Sequence, residues 1–472
     1  MLFVLVGAVC LLLGYLVYSR IAERIFLPFR DTTPAYTNGD GVDYVPMPTL
    51  KNHLIELLNI AGTGPIFGAL MGAKWGPVAF LWVIFGCILG GAIHDYVSGM
   101  MSVRNGGRSL TNLMPQYLGK AFRYPALMFI IAVLIISAAM FTRSACDLLV
   151  TLTGVDSGVW LMLIVIYFAA SAILPIDKVI GRIYPIFGIL LVFMAIAIIA
   201  GLFIEGYSLP SMTVDNLHPH GADMFPDMFI TIACGAVSGF HATQSTLVAR
   251  CLRTEHDGRS VFYGAMIVEG VIALVWVGAG LAFFPDTLSL SDALDDSGPS
   301  GVVYDISTTL LGPAGSVLAV LGVIVCPITS GDTAIRAVRM MVQDDKKWDT
   351  RDVRIATAIT SVTILSVCAL CLMDFESLWY YMSWMNQSLA CLTLWTCTVF
   401  IISIPGKRIH SLMTALPAMF MTMVVVSFIM HSDLGLNLDY QLSVIISAVV
   451  TIALALMYFK ALFFSRTAAK GC

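Results

Sequence analysis

Charged side chains are scarce in this sequence. Only 12% of its 472 residues are charged, whereas a typical soluble domain has about 25%, and 58% of the residues are hydrophobic. The shortage of charge excludes an ordinary soluble domain and favours a membrane protein in contact with lipid. The net charge of −4 argues neither for nor against a nucleic-acid partner, and we expect none.

The sequence also lacks the motifs of common enzyme classes. It contains no HExxH zinc motif, no P-loop and no glycine fingerprint for nucleotides. Its 11 cysteines are scattered, and one CxxC pair, Cys368 and Cys371, falls within a predicted membrane helix. We interpret the cysteines as small apolar packing residues. We expect no catalytic residues, and no cofactor other than a bound Na⁺ ion.

Long apolar runs are abundant, and many reach about 18 residues, the length that crosses a bilayer as a helix. They do not alternate between polar and apolar residues, as the strands of a membrane barrel would. We therefore predict an all-α, polytopic membrane protein with about 13 transmembrane helices. The predicted spans are 2–18, 54–72, 77–100, 124–148, 159–174, 184–204, 225–248, 260–284, 313–335, 354–373, 379–403, 411–430 and 441–463.

The basic residues predict the orientation of these spans. All but two of the 26 Lys and Arg residues lie in alternate gaps, and acids such as Asp215 and Asp374 mark the gaps between. Cytoplasmic loops collect Lys and Arg, so the N-terminus is predicted outside and the C-terminus inside. The exceptions are Lys74, in an outer gap, and Arg143, within a span. Residues 1–18 lack a basic leader and a cleavage site, so we expect a retained helix.

Two predicted spans are interrupted at their centres. The second contains Gly62-Thr63-Gly64-Pro65, where the glycines weaken the helix and the proline removes an amide. The seventh contains a similar break at 233–241. Amides freed at such breaks present the positive end of a helix dipole, which suits a carboxylate. Alternatively, these are close-packing glycines or simple kinks.

The two interrupted spans are five apart and therefore run in opposite directions. Paired interruptions in inverted halves are typical of the binding site of a secondary transporter. The predicted units are a leading helix (1–20), a cytoplasmic loop (21–53), a five-helix repeat (54–205), its inverted partner (224–403) and two trailing helices (411–463).

These breaks and a polar stretch in the eleventh span supply the candidate substrate site. Asn386 and Gln387 either bind substrate or hydrogen-bond to neighbouring helices. The full set of candidate substrate-binding residues is Gly62, Thr63, Gly64, Pro65, Ser238, Gly239, His241, Gln244, Asn386 and Gln387.

Ionisable residues within spans are candidates for proton coupling or gating, because each costs about 2.5–3.5 kcal/mol on insertion scales. Glu269 has no evident local partner, so it is either a proton carrier or a member of an interhelical hydrogen bond. Arg143 and Asp147 are spaced i,i+4 and can simply pair with each other. His94 and Asp95 form either a gate or a structural pair near the inner end of their span.

The ninth span contains a candidate cation site. Thr329, Ser330 and Asp332 lie beside Pro327 and Gly331, which loosen the helix and expose carbonyls. Oxygen-only ligands of this kind bind hard cations such as Na⁺. The alternative is a helix kink whose hydroxyls bond back to carbonyls four residues earlier.

Several stretches resemble the carbon starvation protein A family. The matching stretches, in the family's order, are 40–46 with His53, 60–66, 90–96, 235–241, 263–270 and 384–387. The resemblance implies a bacterial inner-membrane carrier of the amino acid–polyamine–cation superfamily, with a LeuT-like 5+5 inverted repeat. Many members are longer, so we expect a short form without C-terminal helices. The first break continues Phe67-Gly68-Ala69, where a second proline is usual in the family.

The resemblance and the breaks together predict a secondary active importer. Its expected substrates are peptides or small carboxylates such as pyruvate, taken up with H⁺ or Na⁺ when carbon is scarce. Three rivals remain: a channel, a membrane enzyme that uses His94 and Asp95, and a sensor with a transporter's fold. A channel would need a continuous polar stripe, and an enzyme would need several converging acid–base groups.

Overall fold

The computed structural model describes residues 2–173 and 180–464. Lys178, Arg466 and Lys470, which belong to predicted inner gaps, lie outside the described residues. The first helices are α1 (Leu2–Glu23), α2 (Thr49–Ile60), α3 (Gly64–Trp75), α4 (Val78–Arg104), α5 (Leu110–Leu118), α6 (Lys120–Thr153), α7 (Ser157–Ile173) and α8 (Ile180–Ile204). The later ones are α9 (224–231), α10 (Gly239–Val248), α11 (Arg259–Phe283), α12 (Thr287–Lys346), α13 (Val353–Leu370), α14 (Phe375–Ser403), α15 (Arg408–His431) and α16 (Tyr440–Phe464).

The all-α, membrane-spanning architecture is confirmed. Ten helices of the described chain are long and apolar enough to cross a bilayer, or up to eleven if the bent pair α2–α3 is one span. Two of the predicted spans have a different form. The fifth is the shorter helix α7, with 17 residues, and the seventh consists of the short helices α9 and α10 on either side of an irregular segment.

The first break bends the chain by 59° between α2 and α3. Helix α2 ends at Ile60, and the Gly62 amide turns back to the Ile60 carbonyl at 2.8 Å. Pro65 then stands in the first turn of α3, where its missing amide leaves no helical bond unmade. The Thr63 carbonyl accepts from the Phe67 amide at 2.7 Å and so starts the new helix.

The second break is longer and depends on a left-handed residue. Helix α9 is followed by an irregular stretch, 232–238, before α10 begins at Gly239. Gly235 has φ of +84°, a conformation that side chains other than glycine rarely adopt. Glycine at this position therefore permits the irregular backbone between α9 and α10.

Helix α12 forms much of the centre of the fold and packs most extensively against α6 and α8. Its 60 residues are interrupted at Gly298 and Gly312, which have φ of +67° and +65° and precede prolines. The last section, from Pro313, contains the predicted ninth span. The predicted acidic outer gap before it is helical, although its glycine–proline pairs are typical of a loop.

Candidate functional site

The two breaks touch each other at the centre of the protein. A Cβ atom added to Gly64 would overlap the side chain of Cys234 and would lie 3.4 Å from the Cys234 Cα. A Cβ added to Gly235 would lie 3.8 Å from Pro65 and 2.5 Å from the Cβ of Ala273. Glycine at these positions therefore permits the close approach of the two chains.

Helix α14 completes the second break. Asn386 accepts from the Phe240 amide through Oδ1 at 2.6 Å and donates to the Ser238 hydroxyl through Nδ2 at 2.9 Å. Gln387 donates to the Phe229 carbonyl at 3.0 Å. Asn386 thus caps the start of α10 and occupies an amide that the sequence analysis assigned to a substrate carboxylate. A carboxylate at this break would have to compete with it.

Several buried polar atoms beside the breaks have no hydrogen-bond partner among the described residues. These atoms are both amide atoms of Asn59, the Thr63 hydroxyl, and the side-chain oxygens of Gln244 and Gln387. An unsatisfied buried group costs about 1–3 kcal/mol, so these atoms favour a bound ligand or water. Asn59 stands in α2, just before the break, and was not among the predicted site residues.

A chain of ionisable groups lies next to the breaks and joins three helices. Asp95 of α4 contacts both His94 Nδ1, at 2.7 Å, and His241 Nδ1 of α10, at 3.0 Å. The other ring nitrogen of His241 is 3.5 Å from Glu269 of α11. All four side chains are fully buried. The fold thus brings together candidate residues that are far apart in the sequence: His94 and Glu269 are separated by 175 positions.

Glu56 is a further buried carboxylate in this region that was not among the predicted site residues. Its carboxylate is fully buried in α2 and accepts from the Ser245 hydroxyl of α10 at 2.6 Å. Within the described part of the chain, no Lys or Arg forms an ion pair with Glu56, Asp95 or Glu269. Burial of an unpaired carboxylate is strongly unfavourable, so these groups require protons or cations.

The same region contains atoms that could hold a metal ion. Cys234, His241 and Glu269 each offer one ligand atom, and these atoms all lie within 4.8 Å of one another. His241, however, is already flanked by two carboxylates, which a protonated imidazole ring would balance in part. Protons can therefore neutralise this group of side chains without a metal.

The residues predicted to bind Na⁺ lie in two separate places. The Thr329 hydroxyl lies 3.1 Å from the Leu58 carbonyl, and the Ser330 hydroxyl lies 3.0 Å from the carbonyls of Leu58 and Asn59. Thr329 also bonds back to the Val325 carbonyl at 2.8 Å, as the alternative of a helix kink requires. These two hydroxyls therefore meet the carbonyl end of α2 at the first break.

Asp332 points away from this group of oxygens. Its Oδ2 accepts from Ser171 at 2.6 Å, Tyr184 at 3.0 Å and Tyr167 at 3.3 Å, on α7 and α8. Relative to Ser330 the reason is helical geometry, because two residues along a helix correspond to a rotation of about 200°. Asp332 is thus placed beside the two-hydroxyl group rather than within it.

Arg143 and Asp147 lie apart from the central site. They pair on α6 at 3.2 Å, and Arg143 also donates to the Cys371 carbonyl at 3.3 Å. Their side chains are 37% and 32% exposed. The predicted local pair is therefore formed, without contact to the two breaks.

The sequence of this chain also matches a known protein family. Residues 1–154 and 144–283 match the family model of carbon starvation protein CstA, which together is more than half of the chain. The chain belongs to the CstA family. It is therefore a multi-pass membrane protein of a transporter family and not an enzyme, as the resemblance implied.

Three bacterial relatives show how far this similarity extends. An uncharacterised membrane protein of Haemophilus influenzae is 40% identical over 60% of this chain and 91% of its own length. The peptide transporter CstA of Helicobacter pylori J99 is 27% identical over 58% of this chain and 50% of its own. The pyruvate/proton symporter BtsT of Escherichia coli K12 is 28% identical over 56% and 46%. The chain thus spans about half the length of these two transporters.

Solved structures show the same fold. The manganese transporter of Eremococcus coleocola (mutant H236A) aligns with a TM-score of 0.59 and 12% identity, over 90% of this chain and 97% of that protein. MhsT in complex with L-phenylalanine aligns with a TM-score of 0.53 and 15% identity, over 89% and 99%. At such low identity the likeness concerns the fold alone, which is LeuT-like.

Proposed function

We propose that this CstA-family transporter imports a small carboxylate or a peptide together with protons. The observation that carries the proposal is the buried chain Asp95–His241–Glu269, together with the buried Glu56 that is bonded to Ser245 one turn further along α10; none of these carboxylates has a Lys or Arg partner in the described structure. Such carboxylates need protons to remain buried, and a proton that binds there can be released when the site opens to water.

In this mechanism Glu269 takes the proton and His241 passes it on. His241 contacts Glu269 on one side and Asp95 on the other, so its ring can carry a proton between two carboxylates. Glu56 provides a further acceptor in α2, towards the predicted inner side. The name of the E. coli relative, a pyruvate/proton symporter, supports the choice of ion. His94 would orient Asp95 through their 2.7 Å contact.

The substrate is proposed to lie between the two breaks. The Thr63 hydroxyl is without a hydrogen-bond partner there among the described residues, and Gln244 and Gln387 each offer an unpaired oxygen. Both peptides and pyruvate carry a carboxylate. One relative is named as a peptide transporter and another as a pyruvate/proton symporter. The response to carbon starvation and the location in the bacterial inner membrane belong to the same proposal.

The proposed topology keeps 13 spans, with the N-terminus outside and the C-terminus inside. It counts α7 and the pair α9–α10 as spans, and it places the two breaks at equivalent positions of inverted five-helix repeats. The alternation of basic and acidic gaps supports it. The LeuT-like fold supports the repeat.

Sodium coupling is a second candidate, favoured by the two hydroxyls on α12. Thr329 and Ser330 lie within 3.1 Å of the Leu58 and Asn59 carbonyls, so four oxygens converge at the first break. Rotation of both hydroxyl protons would leave an oxygen-only set for Na⁺. Asp332 would contribute charge near the ion instead of a ligand.

Uptake into proteoliposomes tests the function. Labelled pyruvate and a labelled dipeptide would be supplied separately, with a pH gradient, a sodium gradient or neither. Accumulation driven by the pH gradient supports proton coupling, and accumulation driven by sodium supports the second candidate. Flux without accumulation would indicate a channel. If folded protein transports neither compound, both proposed substrate classes are refuted and a sensor or another solute becomes the better explanation.

A further inference from the structure

The predicted cytoplasmic loop, 21–53, is folded against the inner ends of several helices. At its centre is Asp43, whose side chain is fully buried. The Asp43 carboxylate contacts Arg336 at 3.1 Å and Arg339 at 2.8 Å, both on α12. Burial alone would raise the pKa of Asp43, but the guanidinium groups of Arg339 and Arg336 hold this pKa below its ordinary value. The carboxylate is therefore charged and paired at neutral pH.

The same segment is hydrogen-bonded to the chain just beyond α10. The Met47 amide donates to the Cys251 carbonyl at 3.0 Å, and the Asn52 side chain donates to the same carbonyl at 3.0 Å. The Thr33 hydroxyl donates to the Leu252 carbonyl at 2.5 Å. Segment 21–53 thus joins the inner end of α10 to the start of α2.

A third set of contacts reaches α4. Arg104, at the end of that helix, contacts the carboxylate of Glu255 at 2.7 and 2.9 Å. The Oε2 atom of Glu255, which Arg104 also contacts, accepts from the backbone amide of Arg30 at 3.0 Å. Tyr44, next to Asp43, packs its ring 4.8 Å from the Arg250 guanidinium. These contacts join segment 21–53 to the end of α4 and to the chain just beyond α10.

Asp43 is also linked to the candidate cation site. Arg336, its partner, donates to the Ser171 carbonyl at 2.5 Å, and the Ser171 hydroxyl donates to Asp332 at 2.6 Å. Asp332 is two residues from Ser330 on the same helix. A movement of α12 at its inner end would therefore disturb both places.

We propose that segment 21–53, with Asp43 as its key positioning residue, is the inner gate of this protein. It holds α2, α10 and α12 together in the closed state and must release them before the breaks open to the cytoplasm. The inference rests on the proposed transport function and topology. Removing one partner of a buried ion pair is strongly unfavourable for the state that contains the pair. The substitution Asp43→Asn should therefore enrich the inward-open state, at least tenfold.

Two natural cysteines report this opening without any transport assay. Cys251 lies directly under the segment, with its thiol 3.8 Å from the Asp43 carbonyl, and Cys234 lies at the second break. Both are buried in the closed state, with 1% and 2% exposure. Cys391 and Cys397 of α14 are buried as well and act as controls for general unfolding.

In the experiment, a membrane-impermeant maleimide is applied to inside-out vesicles that contain the full chain, so that the reagent reaches the predicted cytoplasmic face. Labelling of each cysteine is then measured by mass spectrometry. Asp43→Asn should increase labelling of both Cys251 and Cys234 at least tenfold over the wild type. Arg339→Gln removes one of the two arginine partners of Asp43 and should also increase labelling of both cysteines. The matched control Asp349→Asn removes an exposed charge on the same side and should change neither.

Each other outcome overturns the proposal. Increased labelling of Cys251 alone would mean local fraying of the segment, and increased labelling of Cys391 and Cys397 would mean a loosened fold. Unchanged labelling in both variants would mean that the ion pair does not hold the gate. Because labelling needs no substrate, a gate that opens as expected in a protein without uptake would refute the transport proposal only.

Discussion

The contact between the two breaks can be tested by adding one methyl group. In Gly64→Ala the new Cβ would overlap the side chain of Cys234 and lie 3.4 Å from its Cα. The overlap with the Cβ and Sγ atoms of Cys234 is closer than real Cβ atoms approach other atoms, so one of the two breaks must shift. A Cβ on the neighbouring Gly235 would likewise overlap Ala273 and lie 3.8 Å from Pro65, which leaves little room for adjustment.

The expected magnitude follows from overpacking. Insertion of a methyl group into a close-packed site costs about 1–3 kcal/mol, and a displacement of reacting or binding groups by about 1 Å can lower a rate about 100-fold. Gly64→Ala should therefore lower uptake at least tenfold while the protein still inserts and folds, and Gly64→Leu should abolish uptake. Cys234→Gly removes the atoms that the methyl group meets, so the double variant should regain most of the lost activity.

Cys234→Ala is the matched control, because it removes the sulfur but keeps the Cβ that Gly64→Ala would overlap. The assay compares initial uptake and the thermal midpoint of all single and double variants as double-mutant cycles. The reasoning is refuted if Gly64→Ala transports normally. It is equally refuted if Cys234→Gly and Cys234→Ala restore activity to the same extent, since the Cβ contact would then be irrelevant.

Four further predictions concern other residues. Glu269→Gln should abolish accumulation driven by a pH gradient yet retain exchange of substrate across the membrane; normal accumulation would exclude Glu269 as the proton carrier. Ser330→Ala should raise the sodium concentration for half-maximal uptake about tenfold if Na⁺ is the coupling ion, and a sodium titration decides this. Asn386→Ala should destabilise the protein by about 1–3 kcal/mol, because the Phe240 amide loses its cap; an unchanged melting temperature argues against the capping role. The stabilisation from ionised Asp43 is present above its ordinary pKa of 3.8 and is lost only as the pH falls through the lower folded value, so Cys251 labelling, normalised to that of the unfolded protein at the same pH, should not change between about pH 5 and 8.

Much of the site was predictable where the signal is local. Glycine and proline within an apolar run disrupt a helix wherever the helix is placed, so Gly62–Pro65 and the stretch around Gly235 could be identified as breaks. Hydropathy identified the chain as a membrane protein because it, too, depends on each segment alone. The pairing of Arg143 with Asp147 followed from helical spacing alone.

The partners of the buried groups could not be predicted in this way. Glu269 had no evident partner because His241 lies on another helix, 28 residues earlier in the sequence. Glu56 was overlooked because its significance depends on Ser245 and on complete burial. Asp332 was grouped with Thr329 and Ser330 by proximity in sequence, although the rotation of the helix directs it elsewhere.

The sequence by itself determined that this protein is an all-helical membrane protein with two interrupted helices, because hydropathy and backbone restrictions act on each segment separately. Only the tertiary structure decided which interruptions meet, which carboxylates share His241, and that segment 21–53 is folded around Asp43. These features depend on contacts between residues far apart in the chain, and the pairing of buried charges is determined by the packing of whole helices.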